Sequence, residues 1–147
     1  MDEKEKRLYI VNLAKKFIGT PYIWGGSNPN VGFDCSGFVI WVCQVFDVLS
    51  GGDWTADELL HMTKVCGEFV EPGDLCFYGK KGSGKTDEPA FDFASHVGFY
   101  DGQGNCISAS GGGSDCLTLE DARKKNAMVK IKPVHYRSDF LGYGRLL

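Results

Sequence analysis

Gly32-Phe33-Asp34-Cys35-Ser36-Gly37-Phe38-Val39-Ile40-Trp41-Val42-Cys43 is the stretch from which the rest of the chain can be ordered. Asp34 stands where a helix cap belongs, because a short carboxylate can accept from the free N–H groups of a first turn. From Cys35 onward the sequence is apolar on nearly every side, through Val45 and Phe46. This predicts a buried central helix over 35–49, stopped by Gly51 and Gly52. Cys35 then opens the helix, directly after a glycine-rich loop, 25–32. A thiol attacks as thiolate, and unpaired N–H groups with the helix dipole favour an anion at that end. The position is therefore expected to lower the Cys35 pKa and to offer N–H groups to an oxyanion. Position alone does not separate a nucleophile from a core cysteine, since free cysteine is commonly buried.

Working outward, Ile10, Leu13, Ala14 and Phe17 share one face of a first helix, 4–17, ended by Gly19 and Pro21. Thr55 and Glu58 have capping-box spacing and predict a third helix to about 65. The second half reads as strands. Pro72-Gly73-Asp74 turns into a strand over 75–78, and a polar segment, 79–94, follows. A hairpin of 97–100 with 105–109 turns at Asp101-Gly102-Gln103-Gly104. Val129 and Ile131 alternate with lysines in another strand, and 140–147 closes the sheet. Helices first and strands after predict an α+β domain with an antiparallel sheet. The 147 residues suit a single domain, 1–147.

With 43% hydrophobic and 24% charged residues, disorder is excluded. The net charge of −3 argues against a nucleic-acid partner. The longest apolar stretch, 38–49, is broken by Gln44 and Asp47 and is too short to span a membrane. The charged start, MDEKEKR, is no secretory signal, so synthesis in the cytoplasm is expected. An external substrate would then need delivery, in a phage particle, by lysis or by specialised secretion. The cysteines at 35, 43, 66, 76, 106 and 116 form no C-x-x-C pair, so no metal site is expected and free thiols are. No cofactor is suggested.

Gly79-Lys80-Lys81-Gly82-Ser83-Gly84-Lys85-Thr86 fits the phosphate-loop pattern and follows a predicted strand. Its context fails, because Asp87-Glu88-Pro89 follows where a helix should begin. A nucleotide binder at 79–86 is accordingly a remote alternative.

Gly19-Thr20-Pro21-Tyr22-Ile23-Trp24-Gly25-Gly26 and the Asp34-Cys35-Ser36-Gly37 segment, then Pro72-Gly73-Asp74-Leu75 and Ser95-His96-Val97-Gly98, resemble the NlpC family of papain-like peptidoglycan peptidases. The resemblance covers about 10–109. It implies a papain-like fold, a Cys35 nucleophile forming a thioester, and His96 as acid and base. It also implies that the Tyr22 hydroxyl lies near the thiol and supports the oxyanion. Trp24, Asp34 and Ser36 are similar to residues that hold the stem peptide, although Asp34 reads equally as a cap. The substrate implied is the stem peptide of peptidoglycan, at the D-glutamyl–diamino acid bond.

One position departs from the family. Its usual third polar residue, often histidine, is replaced here by Ser108, with Ser110 as the alternative under a shifted register. A water or a backbone carbonyl could take the same role. The departure keeps open an inactive wall-binding module, and the Cys-His pair also suits an amidase or acyltransferase. His61 and His135 read as surface or packing residues.

Overall fold

The computed structural model describes residues 1–82 and 92–146. Helix α1, Glu3–Lys16, is capped by Asp2, whose carboxylate accepts from the Glu5 N–H at 2.8 Å. The glycine-rich segment after it is more ordered than a loop. Strands β1, Ser27–Asn28, and β2, Gly32–Phe33, form a two-stranded antiparallel ribbon. The Asn28 side chain closes their turn by accepting from the N–H groups of Asn30 and Val31.

Helix α2 spans Cys35–Val45 and ends earlier than the glycines predict. Asp47 adopts a left-handed φ of 60°, and the Val48 N–H returns to the Cys43 carbonyl at 2.9 Å. The helix is thus closed by a non-glycine residue four positions before Gly51. Phe38, Val39 and Val42 are fully buried, each worth about 2 kcal/mol of apolar burial. Val45 is exposed, so the helix has one wet side. Helix α3, Ala56–Met62, carries the capping box of Thr55 and Glu58. It stops short of 65, because Lys64–Val65 leaves as strand β3.

The remaining strands are β4, Leu75–Lys80, β5, Phe93–Tyr100, β6, Asn105–Ser110, β7, Met128–Pro133, and β8, Phe140–Arg145. They form a six-stranded sheet in the order β3-β8-β4-β5-β6-β7, antiparallel at each pairing. The C-terminal strand enters between β3 and β4 rather than closing an edge. A fourth helix, α4, Leu119–Lys125, was not predicted. Its capping box of Thr118 and Asp121 is written in the sequence, but only Ala122 is buried, so no apolar stripe announces it.

The expected polar loop over 79–94 is narrower than the sequence suggests. Gly79 and Lys80 end β4, while Phe93 and Ala94 begin β5. The phosphate-loop pattern therefore starts inside a strand, and its Ser83, Gly84, Lys85 and Thr86 lie outside the described residues.

One face of the sheet and the helices share the main core, in which Ile10, Phe38 and Leu59 meet Phe77, Val97 and Phe99. The opposite face carries a smaller cluster of Cys76, Tyr78, Cys106 and Val134. Asp74 fastens the sheet to α1. It is almost wholly buried, and its carboxylate accepts two bonds from Arg145, at 2.9 and 2.7 Å, and one from the Glu71 N–H at 2.7 Å. Arg7 of α1 approaches the same carboxylate at 3.4 Å. These bonds hold the Arg145 guanidinium firmly protonated. Removing one partner of a buried pair leaves the other charge uncompensated. Asp74→Asn is expected to lower unfolding stability by about 3 kcal/mol, read as a lower urea midpoint. An unchanged midpoint would show the pair to be ornamental.

Candidate active site

Asp34 sets the geometry. One carboxylate oxygen accepts from the Gly37 N–H at 2.7 Å and from the Ser36 hydroxyl at 3.3 Å. The other accepts from the Gly25 N–H at 3.1 Å. The cap thus ties the glycine loop to the first turn of α2. Gly37 has no room for a side chain, since a Cβ there would stand 2.1 Å from the Gly26 carbonyl oxygen. Asp34 and Ser36 are therefore occupied with each other and with backbone, while both still line the cleft beside Cys35.

Cys35 is the first residue of α2, half-buried, with Sγ 3.9 Å from the Ser95 carbonyl oxygen. Its thiol departs from the expectation of a lowered pKa. Burial, then the Asp34 carboxylate, push it up to about 11. Neighbouring N–H groups, those of Val97, Ser36 and Cys35 itself, pull the other way and are outweighed. The balance favours the thiol over the thiolate.

His96 lies on β5 and is buried. Burial, then the Arg137 charge, push its imidazole down to about 3, against a smaller opposing pull from Asp139. Burial and the Arg137 charge both favour the neutral ring. Its Nε2 is 3.0 Å from Ser108 Oγ. The sheet makes that contact possible at a specific place. Strands β5 and β6 pair only at Phe99 with Ile107 and Tyr100 with Cys106. Beyond that point Ser108 reaches toward β5 past Gly98, where a Cβ would stand 2.7 Å from the Ser108 Cβ. Glycine is required there by space. Ser110, the alternative under the shifted register, lines the cleft but has no bond to His96 among the described residues.

A residue the sequence reading missed approaches the same nitrogen. The Tyr136 hydroxyl is 3.5 Å from His96 Nε2, and burial raises its pKa, so it stays an un-ionised hydroxyl whose oxygen can accept from the ring. Tyr136 lies in a short turn, Val134–Tyr136, held by a hydrogen bond from the Tyr78 hydroxyl to the Val134 carbonyl at 2.7 Å. Forty residues separate it from His96, and no local pattern signals their meeting.

Tyr22 is buried with its ring against Gly112, whose Cβ would stand 2.2 Å from it. Burial, then the nearby Cys35 and Asp34, raise its pKa, which keeps its hydroxyl a proton donor. Trp24 is 53% exposed and stands at the rim. Cys35, Tyr22, Trp24 and Ser95 are common to two arms of one cleft. The arm of about 460 Å³ also contains His96, Lys130, Lys132, Tyr136 and Arg137. The other, about 530 Å³, contains Asp34, Ser36, Asp53, Trp54 and Asp57. His61 pairs with Asp57 on α3 at 3.5 Å, and His135 packs edge-on against Phe140. Neither lines these arms.

The NlpC/P60 family model matches residues 19–132. The bifunctional muramidase/DL-endopeptidase CwlT of Bacillus subtilis is 37% identical over 123 residues, 83% of this chain and 35% of that protein. The gamma-DL-glutamyl hydrolase of Bacillus subtilis is 36% identical over 106 residues, 69% of this chain and 22% of that protein. The chain thus spans about a third or less of the length of these curated relatives. Among solved structures, the NlpC/p60 domain of peptidoglycan hydrolase SagA is 30% identical with a TM-score of 0.61, covering 92% of this chain and 93% of that one. The α+β arrangement is the papain-like one, with Cys35 at the start of the central helix and His96 on the sheet. By its matched motifs and its fold, the chain belongs to the NlpC/P60 family.

Proposed function

We propose that the chain is a cysteine endopeptidase acting on the stem peptide of peptidoglycan, at the bond between D-glutamate and a diamino acid. The observation that carries this reading is one cleft holding Cys35 at a helix N-terminus and a buried His96 whose Nε2 is 3.0 Å from Ser108 Oγ. The names of the relatives, a DL-endopeptidase and a gamma-DL-glutamyl hydrolase, support the choice of bond.

The chemistry follows from the protonation states. Ser108 and Tyr136 engage Nε2, which leaves Nδ1 to exchange a proton with the thiol. Both groups are neutral at rest, so the proton moves as sulfur attacks the substrate carbonyl. The tetrahedral oxyanion is met by N–H groups of the first turn of α2 and by the Tyr22 hydroxyl. Collapse expels the amine, which takes its proton from His96 and leaves a thioester on Cys35. Water, deprotonated by the same imidazole, then releases the acid and restores the thiol. Asp34 and Ser36 hold the glycine loop against the helix, and Trp24 offers an aromatic face to the substrate at the rim.

A second reading, a wall-binding module without turnover, is favoured by the uncharged Ser108 in place of a third histidine. Mass spectrometry of purified peptidoglycan separates the two. The parent is expected to release new stem-peptide fragments whose masses name the bond, and Cys35→Ala none. Folded parent that binds the wall and releases nothing would favour the second reading.

The tether has its own test. Ser108→Ala and Tyr136→Phe are each expected to lower kcat/KM by about five-fold, the worth of one hydrogen bond, and more when combined. Parental turnover in Ser108→Ala would discard its role. The pH dependence follows from the sign of the His96 shift. Acid protonates the ring only well below its ordinary 6.5, so kcat/KM should persist as pH falls through 6.5 and fail on approach to about 3. Folding responds over the same window. The unfolded chain protonates this histidine first, so stability should decline from pH 6.5 toward 3, and less steeply in His96→Gln.

A further inference from the structure

The cleft changes sign along its length. On one arm the charged lining groups are Asp34, Asp53 and Asp57; on the other they are Lys130, Lys132 and Arg137. A basic wall is not the average of a chain with net charge −3. Arg137 spends its charge on Asp139, with bonds of 2.8 and 2.6 Å. Lys130 and Lys132 have no carboxylate partner among the described residues, whereas Lys124 and Lys125 of α4 are paired with Glu120 and Asp115.

The fold places these two lysines deliberately close to the chemistry. Alternate residues of a strand share a face, and Lys130 is the register partner of Ser108, Lys132 that of Cys106. Both residues therefore lie on the strand next to Ser108, the residue within bonding distance of His96, and line the arm that contains the ring. The Gly111-Gly112-Gly113 segment lines the same arm without side chains and leaves it open to a substrate.

We propose that Lys130 and Lys132 form a subsite for a substrate carboxylate beside the scissile bond. The enzyme then prefers stem peptides whose carboxylates are free over those in which they are amidated. The inference rests on the endopeptidase reading above. Two carboxylates flank the proposed bond. A γ-linked D-glutamate keeps its α-carboxylate, and a diaminopimelate residue adds one on its side chain. Lysine at the diamino position brings a cation instead and is disfavoured in this arm.

The test uses synthetic stem peptides containing γ-D-glutamyl-diaminopimelate with both carboxylates free, with either one amidated, or with both amidated. The parent should cleave the free peptide with kcat/KM about five-fold above the doubly amidated one, the scale of an exposed charge pair. The singly amidated peptides identify which carboxylate is read. The preference should shrink as salt is raised, collapse toward unity in Lys130→Ala/Lys132→Ala, and survive in Lys130→Arg/Lys132→Arg. Equal cleavage of all the peptides by the parent, or an undiminished preference in the alanine variant, overturns the subsite. Cleavage of none counts against the endopeptidase reading. Calorimetric binding of the same peptides to Cys35→Ala then decides the subsite separately: tighter binding of the free peptide supports it, and equal affinities overturn it.

Discussion

The Asp34 carboxylate is the contact on which the site depends. Its oxygens collect the Gly37 N–H, the Ser36 hydroxyl and the Gly25 N–H, joining a glycine loop to the first turn of a buried helix. Cys35 is thereby fixed at the mouth of a cleft, half-buried against the main core. The arrangement has an electrostatic cost. The same carboxylate, after burial, opposes ionisation of the adjacent thiol. A capping residue chosen for rigidity thus works against a preformed thiolate, and the helix N–H groups only partly offset it.

His96 shows the complementary effect. Burial and Arg137 disfavour its cation, and burial disfavours the Cys35 thiolate, which is why the proposed resting pair is a thiol and a neutral imidazole. A charged third residue would favour an imidazolium. Ser108 and Tyr136, both uncharged, orient the ring without doing so. In the proposed mechanism the proton moves during attack and does not need to have moved beforehand. Gly98 is as much a part of this device as the hydroxyls, because a side chain there would hold Ser108 away from the ring.

The start of α2 was legible because a cap, a glycine loop and an apolar run agree at one point. Its end was not, because Asp47 takes a left-handed conformation normally given to glycine. Helix α4 escaped because it is short and polar, and only its reciprocal Thr118–Asp121 cap marks it. Cys35, His96 and Tyr22 were legible through motifs, since each sits in a short segment of fixed spacing, whereas Ser108 was legible only as the residue a dozen positions after His96, with Ser110 beside it as the alternative. Tyr136, Lys130 and Lys132 were not. They reach the cleft through the pairing of β6 with β7 and through a turn pinned by Tyr78, which are long-range relations that a local reading does not contain. The sign of the thiol shift was also out of reach, because burial is a property of the folded chain.

The mechanism we propose starts from a neutral thiol and a neutral imidazole whose proton sits on Nε2. Nitrogen-15 NMR of the His96 ring at neutral pH tests it most directly. A neutral ring protonated at Nε2 and bare at Nδ1 is expected. A ring protonated on both nitrogens at that pH, the signature of a thiolate–imidazolium pair, would contradict it.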